Sequence, residues 1–483
     1  MNDALYLCLD QGGSSSRAMV FDSLGQCLAQ SQLAVAEHRQ GERVEQDAAQ
    51  LVASLRSCAN AAVAQLTWPQ RAALSACGLV TQRSSLVAFN PVTEELLSPV
   101  LSWQDTRAAE HLPSSADDIQ LIYQHTGLMA NAHFSASKMC WLLQHNDAVK
   151  KAAQQQQLIL APLACYLAHS LLANKPILVD RGNASRTLLV DVAKGQWCPQ
   201  MLGLWGLDRC YLPSLVASDA IIGQLELDDI SLPMRLLTGD QCAAAFAQGE
   251  LQAQQVSINM GTGAFLLSPV ATPQCRNGLL NSIVHWAELP VYCLEGTVNG
   301  AGVALQYIAK QGELKDDALP LDACLHLADK QADALAQTLP LFINTVSGLG
   351  SPDWRSGIAP RFIGHELANH SLRVAAVAES IVFLLQRNLE CMLREKPALQ
   401  YVAVSGGLSH SDALCQRLSD LSGLRVERSS VVEASARGAA YLLAGRPAHW
   451  PCIIERVFQP QDNHPLRQRY RQWSTALMQQ LQH

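Results

Sequence analysis

A chain of 483 residues is long enough to bury more than one hydrophobic core, which predicts two or more domains. Hydrophobic residues make up 49% and charged residues 16%, the balance of a folded globule rather than a disordered chain. The formal net charge of -7 excludes the basic field of a nucleic-acid binder, so an anionic ligand must be held by local donors and metal.

The predicted elements begin with an apolar run of strand character, Leu5 to Leu9, that ends on Asp10. A turn of small residues follows, Gly12-Gly13-Ser14-Ser15-Ser16, and Arg17 opens a second run, Ala18 to Phe21. This is a hairpin whose glycines let backbone N–H groups converge on a ligand. It differs from the P-loop, having no lysine and no helix after the turn, and alone it is as consistent with an ordinary hairpin. Asp47 to Ser57 predicts a helix capped by Asp47, and Leu74 to Val80 a buried strand leading into Thr81-Gln82-Arg83-Ser84. The Gln run at 154–157 predicts a solvated helix face. Leu158 to Ala168 is the longest apolar stretch; too short to span a bilayer, it predicts a buried helix starting near Pro162. A short strand, Leu236 to Thr238, enters Gly239-Asp240-Gln241, with Cys242 to Gln248 helical after it.

The second half repeats the style. Val256 to Met260, Gly261-Thr262-Gly263 and Ala264 to Leu267 again form strand, turn and strand. Ser371 to Arg394 is the longest helical pattern, capped by Asn369 or Ser371. Tyr401 to Val404 is a strand entering Ser405-Gly406-Gly407, and Glu433 to Ala444 is a small-residue helix suited to packing closely on a sheet. This alternation predicts mixed sheets covered by helices in each half. Fifteen cysteines with no CxxC pair, and an N-terminus that is already a strand with no basic leader, predict reduced thiols and a cytoplasmic location.

Two phosphate-type hairpins about 250 residues apart predict a duplicated fold with nucleotide held between the halves. The first loop, Gly239-Asp240-Gln241, Gly261-Thr262-Gly263 and Ser405-Gly406-Gly407 run in one order along nearly the whole chain. Together they resemble the FGGY carbohydrate kinases, nearest in motif to the glycerol kinases among them. The resemblance implies an α/β fold of two actin-like (ribonuclease H-like) domains with the active-site cleft between them. Residues 1–249 would carry the acceptor site, the first phosphate hairpin and the catalytic aspartate, and residues 250–483 the nucleotide site. It implies ATP and Mg2+ as cofactors. The expected partners are a small polyol or sugar and at most a second copy of the chain, with no nucleic acid and no membrane.

Phosphoryl transfer needs metal, phosphate donors, a positioned nucleophile and a base. Asp240 is the candidate base and, with Asp10, the candidate metal anchor; a helix N-cap is its structural alternative. The candidate nucleotide residues are Gly12, Gly13, Ser14, Ser15 and Arg17 in the first half. In the second they are Gly261, Thr262, Gly302, Gln306, Gly407 and Ser411. Two departures touch the adenine side: the family's Asp-Gly-Gly is Ser405-Gly406-Gly407, and an asparagine is replaced by Ser411.

The candidate acceptor residues are Arg83, Ser84, Trp103, His133, Asp240, Gln241 and Phe265. An arginine fork can bind adjacent hydroxyls, and Trp103 and Phe265 offer apolar walls for C–H faces. Where glycerol kinases have glutamate and tyrosine, this chain has Ser84 and His133. The segment from Ser135 through Lys138 to Trp141 follows the family's first signature, whereas Pro360 to Gly364 follows the second poorly. Ser84 is expected to leave Arg83 without its neighbouring counter-charge and to leave room for an acceptor longer than glycerol. The reading is thus an ATP-dependent polyol or sugar kinase. Its rivals are a glycerol kinase proper and a nucleotide-binding regulatory protein that kept the cleft and lost efficient transfer.

Overall fold

The computed structural model describes residues 4–275, 277–311, 320–335, 339–364 and 369–482. Its two principal sheets have the same plan. In the first, three strands run parallel, Leu5–Gln11 beside Leu74–Thr81 beside Ser231–Gly239. Antiparallel strands flank them, Gly223–Glu226 at one edge and Ser15–Phe21 then Cys27–Ala34 at the other. In the second, Gln255–Met260, Tyr401–Ser405 and Arg425–Ser429 are the parallel trio. Ile454–Phe458 closes one edge, and Ala264–Val270, Pro290–Val298 and Leu280–Trp286 extend the other. The expected duplication is therefore present strand for strand, with Leu280–Trp286 as an addition.

The central strands are buried on both faces, which is why they read as continuous apolar runs rather than as alternations. The pleat still sorts their side chains. Leu7, Leu9 and Leu79 join Leu51 and Leu55 of helix Ala48–Ala64 in one core, while Cys8 and Val80 join Ala436 and Ala439 in another. The second helix belongs to the other half of the sequence. Ala434–Leu443 lies on strands Leu5–Gln11 and Leu74–Thr81 and against helix Asp240–Ala244. A β-carbon at Gly438 would stand 1.8 Å from the Ala243 carbonyl oxygen, so only glycine permits that crossing.

Local signals set the helix starts. Asp47 accepts from the amides of Ala49 and Gln50 at the head of Ala48–Ala64, and Asn369 caps His370–Glu395. Helix Leu163–Leu171 begins immediately after Pro162. Two expectations are corrected. The Gln run is not a helix face: the helix ends at Gln154 and Gln156 has a left-handed φ of 54°, so the run is the exit from the helix. The helix after Asp240 stops at Ala244, and turns carry the chain onward to Gln248. A smaller antiparallel sheet, which includes Leu86–Phe89, Val100–Leu101 and Ile159–Pro162, frames the loop that carries Trp103. Among the described residues no helix is long and apolar enough to cross a membrane.

Candidate active site

Gln11, Thr81 and Gly239 are in register across the first sheet. The carboxyl ends of three parallel strands therefore release Asp10, Arg83 and Asp240 at one sheet edge, where α/β folds place their ligands. Arg83 is buried, with Nε 3.7 Å from Asp240 Oδ1 and a terminal nitrogen 3.5 Å from Glu295 Oε2. Asp240 opens helix Asp240–Ala244 after Gly239, and its Oδ1 accepts from the Gln241 amide at 2.7 Å. Burial raises its carboxyl above the usual carboxylate range, against the pull of Arg83. Asp10 is 4% exposed, and burial lifts it to about 6; the charge of Asp240 adds to the rise, while Arg17 and a hydrogen bond from Ser435 oppose it. That bond is 2.7 Å, from the Ser435 hydroxyl to Asp10 Oδ2. Two carboxylates that sense each other, Asp10 and Asp240, form an oxygen donor set that fits a divalent cation.

The first turn is closed by the Gly12 amide on the Ser15 carbonyl at 3.0 Å. The Gly13 carbonyl accepts from Gln46, Ser14 is exposed, and Ser15 is buried at the start of the return strand. Arg17, paired across the hairpin with Asp10, makes an ion pair of 2.8 Å with Glu433 of the second half. The second turn has the same closure, from the Gly261 amide to the Gly263 carbonyl at 2.8 Å. Thr262 stands exposed at its tip. Helix Gly302–Gln311 starts directly on this turn, its Gly302 amide 3.0 Å from the Gly261 carbonyl. A β-carbon at Gly302 would lie 2.8 Å from that same oxygen, so the close approach requires glycine. Gln306 is exposed one turn along this helix. Gly407 is exposed with open space around it, whereas Ser411 caps helix Asp412–Ser422 and bonds Asp322.

Among the residues expected at the acceptor, Trp103 and His133 meet, ring centroids 5.1 Å apart, and Phe134 stands 5.1 Å from His133. Burial, together with Lys138, Arg186 and Arg83, holds the His133 imidazole well below its ordinary pKa, so the ring is neutral at pH 7. Ser84 is buried with a left-handed φ of 66°, and its hydroxyl has no hydrogen-bond partner among the described residues. Phe265 lies on the return strand of the second hairpin and makes no ring contact with Trp103 or His133.

Arg83 does not lack a counter-charge, contrary to the expectation drawn from Ser84. Glu295, from strand Pro290–Val298 of the second half, supplies it from beneath. Glu295 is fully buried. It accepts both arms of Arg186 at 3.2 and 3.0 Å and the Ser282 hydroxyl at 2.6 Å, and the two arginines hold its pKa down to about 2 despite burial. Sequence reasoning missed Glu295, Arg186, Glu433 and Ser435. One signal was available: a lone carboxylate inside the apolar strand Val291 to Val298 must find a cation if it is buried.

Comparison with known proteins identifies the family. The model of the FGGY family of carbohydrate kinases matches as its N-terminal domain over residues 5–233 and as its C-terminal domain over 256–445. The chain belongs to the FGGY family of carbohydrate kinases. It is an enzyme of that class, a phosphotransferase with an alcohol acceptor. The glycerol kinase of Shewanella frigidimarina is 31% identical over 458 residues, covering 93% of this chain and 90% of the relative. That of Haemophilus influenzae is 29% identical over 507 residues, covering 100% and 99%. Among solved structures, Plasmodium falciparum glycerol kinase with ADP superimposes with a TM-score of 0.88 at 22% identity, covering 99% of this chain and 98% of that one. A ligand-bound xylulose kinase from Lactobacillus acidophilus gives 0.83 at 16% identity, covering 99% and 97%. At these identities the likeness to solved structures shows the shared fold. The kinase thus has its family's two-part α/β architecture.

Proposed function

We propose that this kinase transfers the γ-phosphoryl group of ATP to a hydroxyl of a small polyol or sugar, with Asp240 as the general base. The observation that carries the reading is the convergence of Asp10, Arg83 and Asp240 at the carboxyl ends of three strands. Asp240 takes the proton of the acceptor hydroxyl. The oxygen forms its bond to the γ-phosphorus as the bond to the β-bridging oxygen breaks, and ADP leaves. A raised carboxyl pKa suits that task, because a base works best when its pKa approaches the working pH. Arg83, held by Glu295 and facing Asp240, orients the acceptor, and Trp103 with neutral His133 forms its apolar wall. Gly12 to Ser15 and Arg17 face the phosphates from one half and Gly261-Thr262 from the other. Gly302, Gln306, Gly407 and Ser411 lie toward ribose and base. Asp10 and Asp240 would hold a Mg2+ ion, which supplies positive charge to the phosphate oxygens. Residues near 249 divide the acceptor half from the nucleotide half, closure between them excludes water, and the enzyme works in the cytoplasm.

The relatives named glycerol kinase favour glycerol as the acceptor. Ser84 and His133 favour a longer one, because a short neutral side chain replaces a carboxylate beside Arg83. A coupled ADP-release screen over glycerol, tetritols, pentitols and ketoses tests this. The expected result is acceptor-dependent ADP release with its highest kcat/KM on a C4 to C6 compound. Better use of glycerol than of every longer acceptor assigns a plain glycerol kinase, and no release with any acceptor favours a nucleotide-binding regulatory protein.

A further inference from the structure

Among the described residues outside the cleft, one cluster of side chains has the composition of a metal site. Helix Ala116–Thr126 ends beside a short hairpin in which Val190–Asp191 pairs antiparallel with Gln196–Trp197. There His125, Asp191 and Cys198 bring an imidazole nitrogen, a carboxylate oxygen and a thiol sulfur within 4.8 Å of one another. We propose that these three residues bind a zinc-type divalent cation, with water as a fourth ligand.

The donor set is selective. One nitrogen, one oxygen and one sulfur ligand suit zinc, whereas magnesium and calcium take oxygen alone. Tetrahedral zinc with bonds of about 2.0 to 2.3 Å places its ligand atoms about 3.3 to 3.8 Å apart. Asp191 Oδ2 already lies 3.6 Å from His125 Nδ1. The sulfur would have to approach by side-chain rotation, since backbone hydrogen bonds hold His125 and Cys198 in place. The Val192 amide donates to the His125 carbonyl at 2.8 Å, and the Cys198 amide to the Leu189 carbonyl at 2.7 Å. Asp191 Oδ1 accepts from the amides of Ala193 and Lys194 at 3.2 and 3.0 Å, which leaves Oδ2 as the outward ligand atom. The Cys198 thiol donates to Gln200 Oε1 at 3.3 Å and would surrender that proton as the sulfur–metal bond forms. His125 is 26% exposed, giving solvent its entry.

A cation already visits this place. The Lys194 ammonium lies 3.3 Å from Asp191 Oδ2 at the end of a side chain that is 71% exposed. Ammonium and metal cannot share that oxygen, so Lys194 is a built-in competitor that leaves at little cost. The site sits at the seam of the molecule. The Tyr292 hydroxyl of the second half donates to the Ala193 carbonyl at 3.2 Å, and Arg181 stacks on Trp286 while donating to the Gly195 carbonyl at 2.9 Å. A bound ion would brace the hairpin that this seam clamps.

The test uses the full chain, stripped with a chelator and titrated with cobalt(II), whose thiolate complexes absorb in the near ultraviolet. One ion per chain is expected, with the absorption lost on adding zinc. Cys198→Ser should remove the band, and His125→Ala should weaken binding by more than about tenfold. Lys194→Gln should tighten it, since the competitor is gone. Circular dichroism of each metal-free variant shows that it is folded. Absence of the band, a band that survives Cys198→Ser, or a Lys194→Gln protein that binds no tighter than wild type overturns the proposal. None of these readouts depends on phosphoryl transfer.

Discussion

Strand Leu74–Thr81 is to the first sheet what Tyr401–Ser405 is to the second, yet the loops that leave them are opposites. Gln82, Arg83 and Ser84 are buried, and Arg83 is anchored to Asp240 and Glu295. Gly406-Gly407 carries no side chain, and Gly407 looks into open space. One topology has thus been finished as a closed, charged pocket on one side and as an open glycine floor on the other. Under the proposed function the difference matches what each would hold. A small polyol is recognised by its hydroxyls and needs fixed donors around it, whereas a nucleotide needs backbone amides and room for a large flat base. The closed end is closed by Glu295 of the other half of the molecule, so this pocket and the arrangement of the halves are one structure.

Removing Glu295 should break the closed end with the largest effect on stability. Glu295→Gln leaves Arg83 and Arg186 buried without their carboxylate, and breaking a buried pair of this kind costs about 3–5 kcal/mol. Thermal or urea unfolding should show the loss, with acceptor KM rising more than nucleotide KM. The pH dependence gives the sign. The Glu295 pKa is about 2 in the folded protein against an ordinary 4.5, so its contribution is full above pH 4.5 and lost as pH falls toward 2. Wild type should therefore lose stability in that window more steeply than Glu295→Gln; parallel acid-unfolding curves would contradict the pairing.

The open end should be more sensitive to shape than to charge. Gly302→Ala places a methyl 2.8 Å from the Gly261 carbonyl, so the turn must shift. Overpacking of this sort costs about 1–3 kcal/mol. Calorimetry should find ATP-analogue affinity reduced by about tenfold or more with acceptor affinity unchanged; equal loss for both ligands would mean that the two ends are not separate. On the closed side, Ser84→Glu with His133→Tyr should raise kcat/KM for glycerol by about tenfold and lower it for the native acceptor, through one added charged hydrogen bond. The smallest effect is expected at Asp10. Its carboxyl titrates at about 6, so kcat/KM for ATP should fall below that pH. Ser435→Ala removes a hydrogen bond that holds this pKa down, and the acid limb should move to higher pH; a shift the other way would exclude Asp10 as the titrating group.

Much of this plan was legible where the information was local. Asp47 and Asn369 announce their helices through side-chain caps, and the two glycine turns announce their hairpins by breaking apolar strand runs with small residues. The Gln run misled because composition sets no stop signal, and the helix ends there on a left-handed Gln156. The pairs that finish the site were out of reach for a different reason. Arg83 and Glu295 are 212 residues apart, and Arg17 and Glu433 are 416 apart, so their meeting depends on how one half seats on the other. No periodicity records that.

The central claim is that Asp240 takes the proton while the γ-phosphoryl group passes to the acceptor. Transfer of labelled γ-phosphate from ATP to the best acceptor should be followed in wild type and in Asp240→Asn, with nucleotide affinity measured alongside. The account predicts a fall in turnover of about 10²- to 10⁴-fold with ATP binding retained. A variant that kept more than about a tenth of wild-type turnover, a barrier change below about 1.4 kcal/mol, would contradict it.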